Sequence, residues 1–192
     1  PPMPSKPPRP RASLSRDRVV AAGVELADQE GIEALSMRRL AARLQVQAPA
    51  LYWHFRDKSE LLGLMTGVIY RQAQDEVGPC TDWREWLVEY GRALRRGMLR
   101  ERDAARLFAI APPAPQGEAA SAEAIAAPLT DLGLDQESAV SARAAVISLA
   151  LGWSTYEANG PMQHFLEGIL DLDRSFEAGL QALVRGFEPF AA

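Results

Sequence analysis

A single cysteine in 192 residues, Cys80, leaves no internal disulfide to close, which fits a reducing compartment. Histidine is scarce as well, and His54 and His164 stand at no spacing that gathers metal ligands or a catalytic triad. A Gly-rich phosphate loop, His-Glu-x-x-His and Gly-x-Ser-x-Gly are all missing. The usual signatures of nucleotide, zinc-peptidase and serine-hydrolase chemistry are therefore absent, and catalysis is not expected. No uncharged apolar run reaches the roughly 18 residues that a membrane span needs, and the proline-rich, basic N-terminus has no apolar stretch of the secretory kind. The expectation is a cytoplasmic protein without membrane contact, metal or cofactor.

What is present is an ordinary globular composition, 47% hydrophobic and 24% charged, enough to fill a core. The net charge of −4 is unevenly placed. Residues 1–60 hold ten Lys/Arg against seven Asp/Glu, and the rest of the chain holds eleven against eighteen. An acidic protein with one basic end has a place for a polyanion there.

Residues 1–15 carry the prolines and basic side chains of a flexible arm, with Lys6, Arg9, Arg11 and Arg16 available to phosphate or a minor groove. From Arg16 the periodicity is helical, with Val20, Val24 and Ala27 on one face and Gly31 placed to end a helix of about 16–30 in the left-handed region. Ser36 is an N-cap for a second helix with Leu40 and Leu44 inward and Arg38, Arg39 and Arg43 in water. Gln45 to Gln47 make a turn, Pro49 suits the first turn of a third helix of about 48–55, and Asp57 with Glu60 forms a capping box for a fourth, about 58–77.

Aromatics are only 7% of the chain, so the run Leu51-Tyr52-Trp53-His54-Phe55 is informative. Five bulky residues in a row surround a helix, and Leu51 with Phe55 can bury only one side of it. Between 36 and 58 there are five cations against Asp57 alone. Helix, turn, short helix with basic side chains outside is the pattern of a major-groove reader. The Pro49 end of the third helix would point free amides toward phosphate, while Arg56 and Lys58 would hold the duplex backbone. Residues 16–60 are thus expected to bind double-stranded DNA.

Residues 16–62 resemble the DNA-binding domain of the TetR family of bacterial regulators, through Gly31-Ile32, Ser36-Met37-Arg38, Leu51-Tyr52-Trp53-His54-Phe55 and Lys58. The resemblance implies an interface of Ser36, Arg38, Ala48, Pro49, Ala50, Tyr52, Trp53, His54 and Lys58. Arg38 would reach a guanine edge. Ala48 and Ala50 stand where the tetracycline repressor carries base-reading Gln and Thr, which implies a different operator.

Residues 61–192 read as further helices and no strand, giving an all-α protein with a larger C-terminal effector-binding and dimerisation domain. Trp83, Leu87, Tyr90, Leu94 and Met98 form one stripe. Further helices are expected over about 101–111, ended by Pro112-Pro113, then about 118–131, 135–157 and 173–187, the last with Phe176, Leu180, Leu183 and Val184 inward. The 135–157 helix is apolar on more than one side, Val140, Ala144, Ile147 and Leu151 opposing Val146, Leu149, Ala150 and Trp153. Such a helix is buried or shared, and a homodimer through segments 135–158 and 173–187 is expected, as the resemblance also implies.

By the same resemblance this domain holds a small effector, for which Gln74, Trp86, Tyr90, Leu94, Phe108, Trp153 and Tyr156 are the candidate lining. Gln74 and Phe108 match, approximately, the two histidines that hold magnesium in the tetracycline repressor. Without imidazole the metal loses nitrogen ligands, so an apolar or aromatic, metal-free effector is expected. Its binding would move the 101–111 helix against the 58–77 helix, turning the reading heads and releasing a palindromic operator. The overall reading is a ligand-responsive repressor, with an activator or an effector-independent DNA binder as the alternative.

Overall fold

The structure, a computed structural model, describes residues 14–113 and 121–187, and among them there is no strand. Four helices build the head: α1 (Arg16–Glu30), α2 (Met37–Leu44), α3 (Ala48–Leu51) and α4 (Lys58–Asp75), with a 3-10 turn at Ile32–Ala34. Side chains start each long helix. Ser15 accepts from the Arg18 amide, Ser36 from Arg39 and Asp57 from Glu60, each satisfying a donor that the helix cannot. The capping box is offset by one residue, since Glu60 returns its Oε2 to the Arg56 amide at 2.9 Å. That bond holds the Glu60 carboxyl below the ordinary carboxylate range.

Gly31 ends α1 at φ 89, ψ 155, a positive φ with extended ψ rather than the left-handed helical conformation expected. Gln45 takes the left-handed helical conformation after α2. The third helix is shorter than the sequence suggests. Only 48–51 is helical, and Tyr52 to His54 continue as a turn in which the Tyr52 and His54 amides reach back three residues. Leu51 and Phe55 still bury as a pair, whereas Leu44, expected inward, is only half-buried.

The body contains α5 (Trp83–Arg100), α6 (Ala104–Ile110), α7 (Ala122–Thr130), α8 (Gln136–Glu157), α9 (Gly160–Glu167) and α10 (Leu172–Arg185). Asp135 caps α8 where expected. α6 begins at Ala104 rather than near 101, because Asp103 takes the left-handed conformation, φ 59. α9 was not anticipated. Asn159-Gly160-Pro161 does stop α8, but the same residues start another helix, the Asn159 side chain capping the Met162 amide and Pro161 occupying the first turn. No residue of α9 is buried, so periodicity gave no sign of it. The N-terminal arm, residues 1–13, lies outside the described residues.

Head and body share α4. Met65 and Leu61 pack on Gly23 of α1, while Ile69 faces Gly97 of α5. The core of the head therefore continues past residue 60 into Leu61, Leu64 and Met65, all fully buried. At the other end of α4, Glu76 accepts from Arg96 and Arg100, and the bond to Arg100 holds its carboxyl below the usual range.

α8 is the spine of the body, with Ala139, Ala142, Val146 and Ala150 buried against α5, α7 and α10. Its closest approach is at Gly91, where a Cβ would lie 2.8 Å from Leu180 Cδ1 and 3.0 Å from Val146 Cγ1. The leucine can turn away, but a valine on a helix has one favoured rotamer. Gly91→Ala is expected to destabilise the fold by about 1–3 kcal/mol by overpacking, read as a lower midpoint in urea unfolding, despite the better helix propensity of alanine.

Candidate nucleic-acid interface and effector cluster

The tip of the head is the α3 turn. Leu51 and Phe55 anchor it in the core at 0% and 1% exposure, and the three residues between them turn outward. Tyr52 is 55% exposed, Trp53 88% and His54 half-buried. An indole left almost wholly in water gives up a large burial energy, and nothing among the described residues recovers it. Pro49 is exposed beside half-buried Ala48 and Ala50. With one turn of helix, α3 has too few aligned peptides for much of a dipole, so its contribution to phosphate binding is limited to local amides.

The five cations of this region divide sharply. Arg39 pairs with Glu30 at 2.5 Å, Arg43 with Glu25 at 3.0 Å and Arg56 with Glu60 at 3.3 Å. Arg38 and Lys58 are exposed and have no ion pair among the described residues. They stand at the start of α2 and of α4, either side of the aromatic tip. Ser36 uses its hydroxyl on the Arg39 amide, 3.2 Å, so its first role is to begin α2.

The candidate effector residues do not form one site. Trp86 and Tyr90 stack at 4.8 Å, and Phe108 packs on Tyr70 of α4 at 4.5 Å. Arg143 of α8 lies among them, donating to Gln74 Oε1 at 2.9 Å and to the Tyr90 hydroxyl at 3.1 Å. Leu94 is fully buried one turn beyond Tyr90. Trp153 instead meets Phe176 edge-on, on the side of α10, and Tyr156 is 49% exposed. Those two leave the cluster because they lie roughly three and three and a half turns along α8 from Arg143. Burial, with Tyr90 nearby, pushes the Tyr70 hydroxyl up to about 12 against the opposing charge of Arg143. Gln74 and Phe108 do not suit magnesium: the amide oxygen of one already serves a guanidinium, and the other has no donor atom.

Sequence reasoning missed Arg143 and Tyr70. The signal was available for the first, because Arg143 falls in register with Ala139, Val146 and Ala150 on the buried side of α8, where a charge needs a reason.

An exposed aromatic and basic turn carried on a helix-turn-helix head, over a helical body with its own aromatic cluster, defines a DNA-binding transcription regulator. The family profile "Bacterial regulatory proteins, tetR family" matches residues 19–65, and "Tetracyclin repressor-like, C-terminal domain" matches 78–164. The chain is 34% identical to an HTH-type transcriptional regulator of Saccharopolyspora erythraea over 78% of its length, a match that spans 63% of that relative. It is 32% identical to the tetracycline repressor protein class A from transposon 1721 of Escherichia coli, over 90% of each chain. A TetR variant of Acinetobacter baumannii AYE, solved in complex with minocycline, superposes with a TM-score of 0.76 at 32% identity, covering 94% of this chain and 99% of that one. The chain belongs to the TetR family.

A cluster of contacts at the turn between α5 and α6 fastens head to body. Asp103, at the turn between α5 and α6, accepts the Ile32 amide at 2.9 Å, and the Arg102 amide donates to Asp28 at 2.9 Å. Arg106 pairs with Glu33 alongside. The Ile32 amide follows the end of α1 and is covered by a side chain only 4% exposed, so losing its acceptor leaves a shielded donor unmet. Asp103→Ala is expected to cost about 1–3 kcal/mol. Asp103→Asn keeps an acceptor and tolerates positive φ, and should cost distinctly less in the same denaturation series.

Proposed function

We propose that this chain is a ligand-responsive repressor that binds a palindromic operator as a homodimer and leaves it when a small aromatic effector enters the body. The observation that supports DNA reading most directly is the pairing pattern of the head: Arg38 and Lys58 are unneutralised on either side of exposed Tyr52 and Trp53. Arg38 takes the base-reading role, its planar fork matching the two acceptors of a guanine. Lys58 takes a phosphate, and Tyr52, Trp53 and His54 pack on the groove wall with the Ala48 and Ala50 methyls.

Support for dimerisation comes from the face of α8 that the monomer leaves uncovered. Val140, Ile147 and Leu151 are half-buried and Ala144 exposed, while the opposite face fills the core. On α10, Leu183 is also only half-buried instead of inward, beside exposed Ala178 and Ala182. Two copies joined on these faces make a four-helix bundle. The reading turns would then address half-sites about one turn, roughly 34 Å, apart.

The release mechanism uses α6 as a lever. Phe108 on α6 touches Tyr70 of α4 in the aromatic cluster, and Asp103 at the start of α6 holds the head. An effector that displaces Phe108 acts on both connections. Differential affinity of about 3 kcal/mol between the two states weakens operator binding more than a hundredfold.

A gel-shift assay on DNA flanking its own coding sequence should show salt-sensitive preference over random DNA, and equal binding to both would remove the specific-repressor reading. There, Arg38→Ala should lose about 1–3 kcal/mol of preference at one base pair per half-site, while Lys58→Ala weakens all sequences alike and lowers the salt slope by about one. Ile147→Glu should sediment as a folded monomer with operator affinity sharply reduced, whereas a persistent dimer would move the interface away from α8.

A further inference from the structure

We propose that Arg143 is the recognition point for the acid group of an aromatic effector, so that this regulator answers to an aromatic acid without a metal. The proposal rests on the effector-binding reading above and specifies the chemistry of its ligand.

Arg143 is the one buried charged residue among those described, at 7% exposure. Every hydrogen bond it makes goes to a neutral acceptor: Ile125 O at 2.8 Å, Gln74 Oε1 at 2.9 Å and the Tyr90 hydroxyl at 3.1 Å. Its guanidinium also lies over the rings of Tyr90 and Trp86, at 4.7 and 5.4 Å. Among the described residues no carboxylate pairs with it. The more accessible arginines of the body are treated differently. Arg92 is held by Glu89 and Glu177, and Arg95 by Glu157 and Asp173. The deepest cation therefore lacks the anion that shallower ones possess, although burial raises the penalty for a charge without a counter-charge.

A structural role alone would be met more cheaply by an apolar residue in register with Ala139 and Val146. A guanidinium offers a planar fork matched to two oxygens of one acid group. Two of its present partners can yield. The Gln74 amide ends a flexible side chain, and the Tyr90 hydroxyl, now accepting, can donate to an incoming oxygen instead. The rings of Trp86 and Tyr90 lie against the guanidinium, and the Tyr70–Phe108 pair adds further apolar surface beside Tyr90. Access is short, since Ile125, whose carbonyl covers Arg143, is itself 36% exposed on α7. The same positive charge repels a dication at this place.

The test is calorimetric titration of the full-length protein with benzoate, 2-naphthoate and anthracene-2-carboxylate, each beside its amide, which keeps the shape and removes the charge. At least one acid should bind ten times or more tightly than its amide, without magnesium. Arg143→Met should bring that ratio to about one and leave amide binding in place. Its operator gel shift should be unchanged, which shows that the variant is folded. If Arg143→Met does not fold, Arg143→Lys, a point charge without the fork, should reduce the ratio at least threefold. Acids and amides that bind equally, or a preference that survives at Arg143→Met, would overturn acid recognition and leave the pocket standing. Binding of none of the six, by a protein that shifts its operator, would overturn the pocket and this proposal together.

Discussion

Met65 and Ile69 lie one turn apart on α4, in one continuous core, and face different parts of the molecule. The first closes the head against Gly23, and the second faces Gly97 in the body. α4 cannot tilt to suit one set of neighbours without disturbing the other, because packed interiors resist small displacements. That constraint ties the aromatic cluster to the reading turn: Tyr70 is the next residue along, and its ring touches Phe108. The other end of the same helix carries Lys58 and the Asp57 cap.

Much of this arrangement is legible in the chain. Periodicity and Gly31 place α1, and caps place the starts of α2, α4 and α8 almost to the residue, since Ser36, Asp57 and Asp135 each do one local job that no tertiary contact overrides. Leu51 and Phe55 mark the anchored face of the tip, and the exposure of Trp53 follows by exclusion. Where local signals compete, the reading is less complete. α3 stops at Leu51 because Phe55 has to turn into the core, which tightens the last bonds to a three-residue spacing. α9 has no buried face to create a period, and its start is written in the residues that end α8.

The pairings across long sequence separations are the least legible. Arg56 meets Glu60 four residues on, but nothing local shows that Arg39 and Arg43 are neutralised while Arg38 and Lys58 are left alone. That part of the partition appears only when Glu30 and Glu25 are brought to them by the fold. The whole partition reduces an apparent run of five cations to two positions with charge to spare. The aromatic set behaves in the same way. Trp86, Tyr90 and Phe108 come together around Arg143, whereas Trp153 and Tyr156, of equal promise by type, face elsewhere on the same helix.

The bond from Ile32 to Asp103 has one partner that is backbone and one that is side chain. An amide is the same whatever residue occupies position 32, so variation there leaves the donor intact as long as proline is avoided. Position 103 has no such latitude, since it must both accept a hydrogen bond and hold a positive φ. Under random substitution this one bond therefore has a single adjustable side, on the body, whereas the contacts beside it, Asp28 with the Arg102 amide and Glu33 with Arg106, put side chains of the head in play as well.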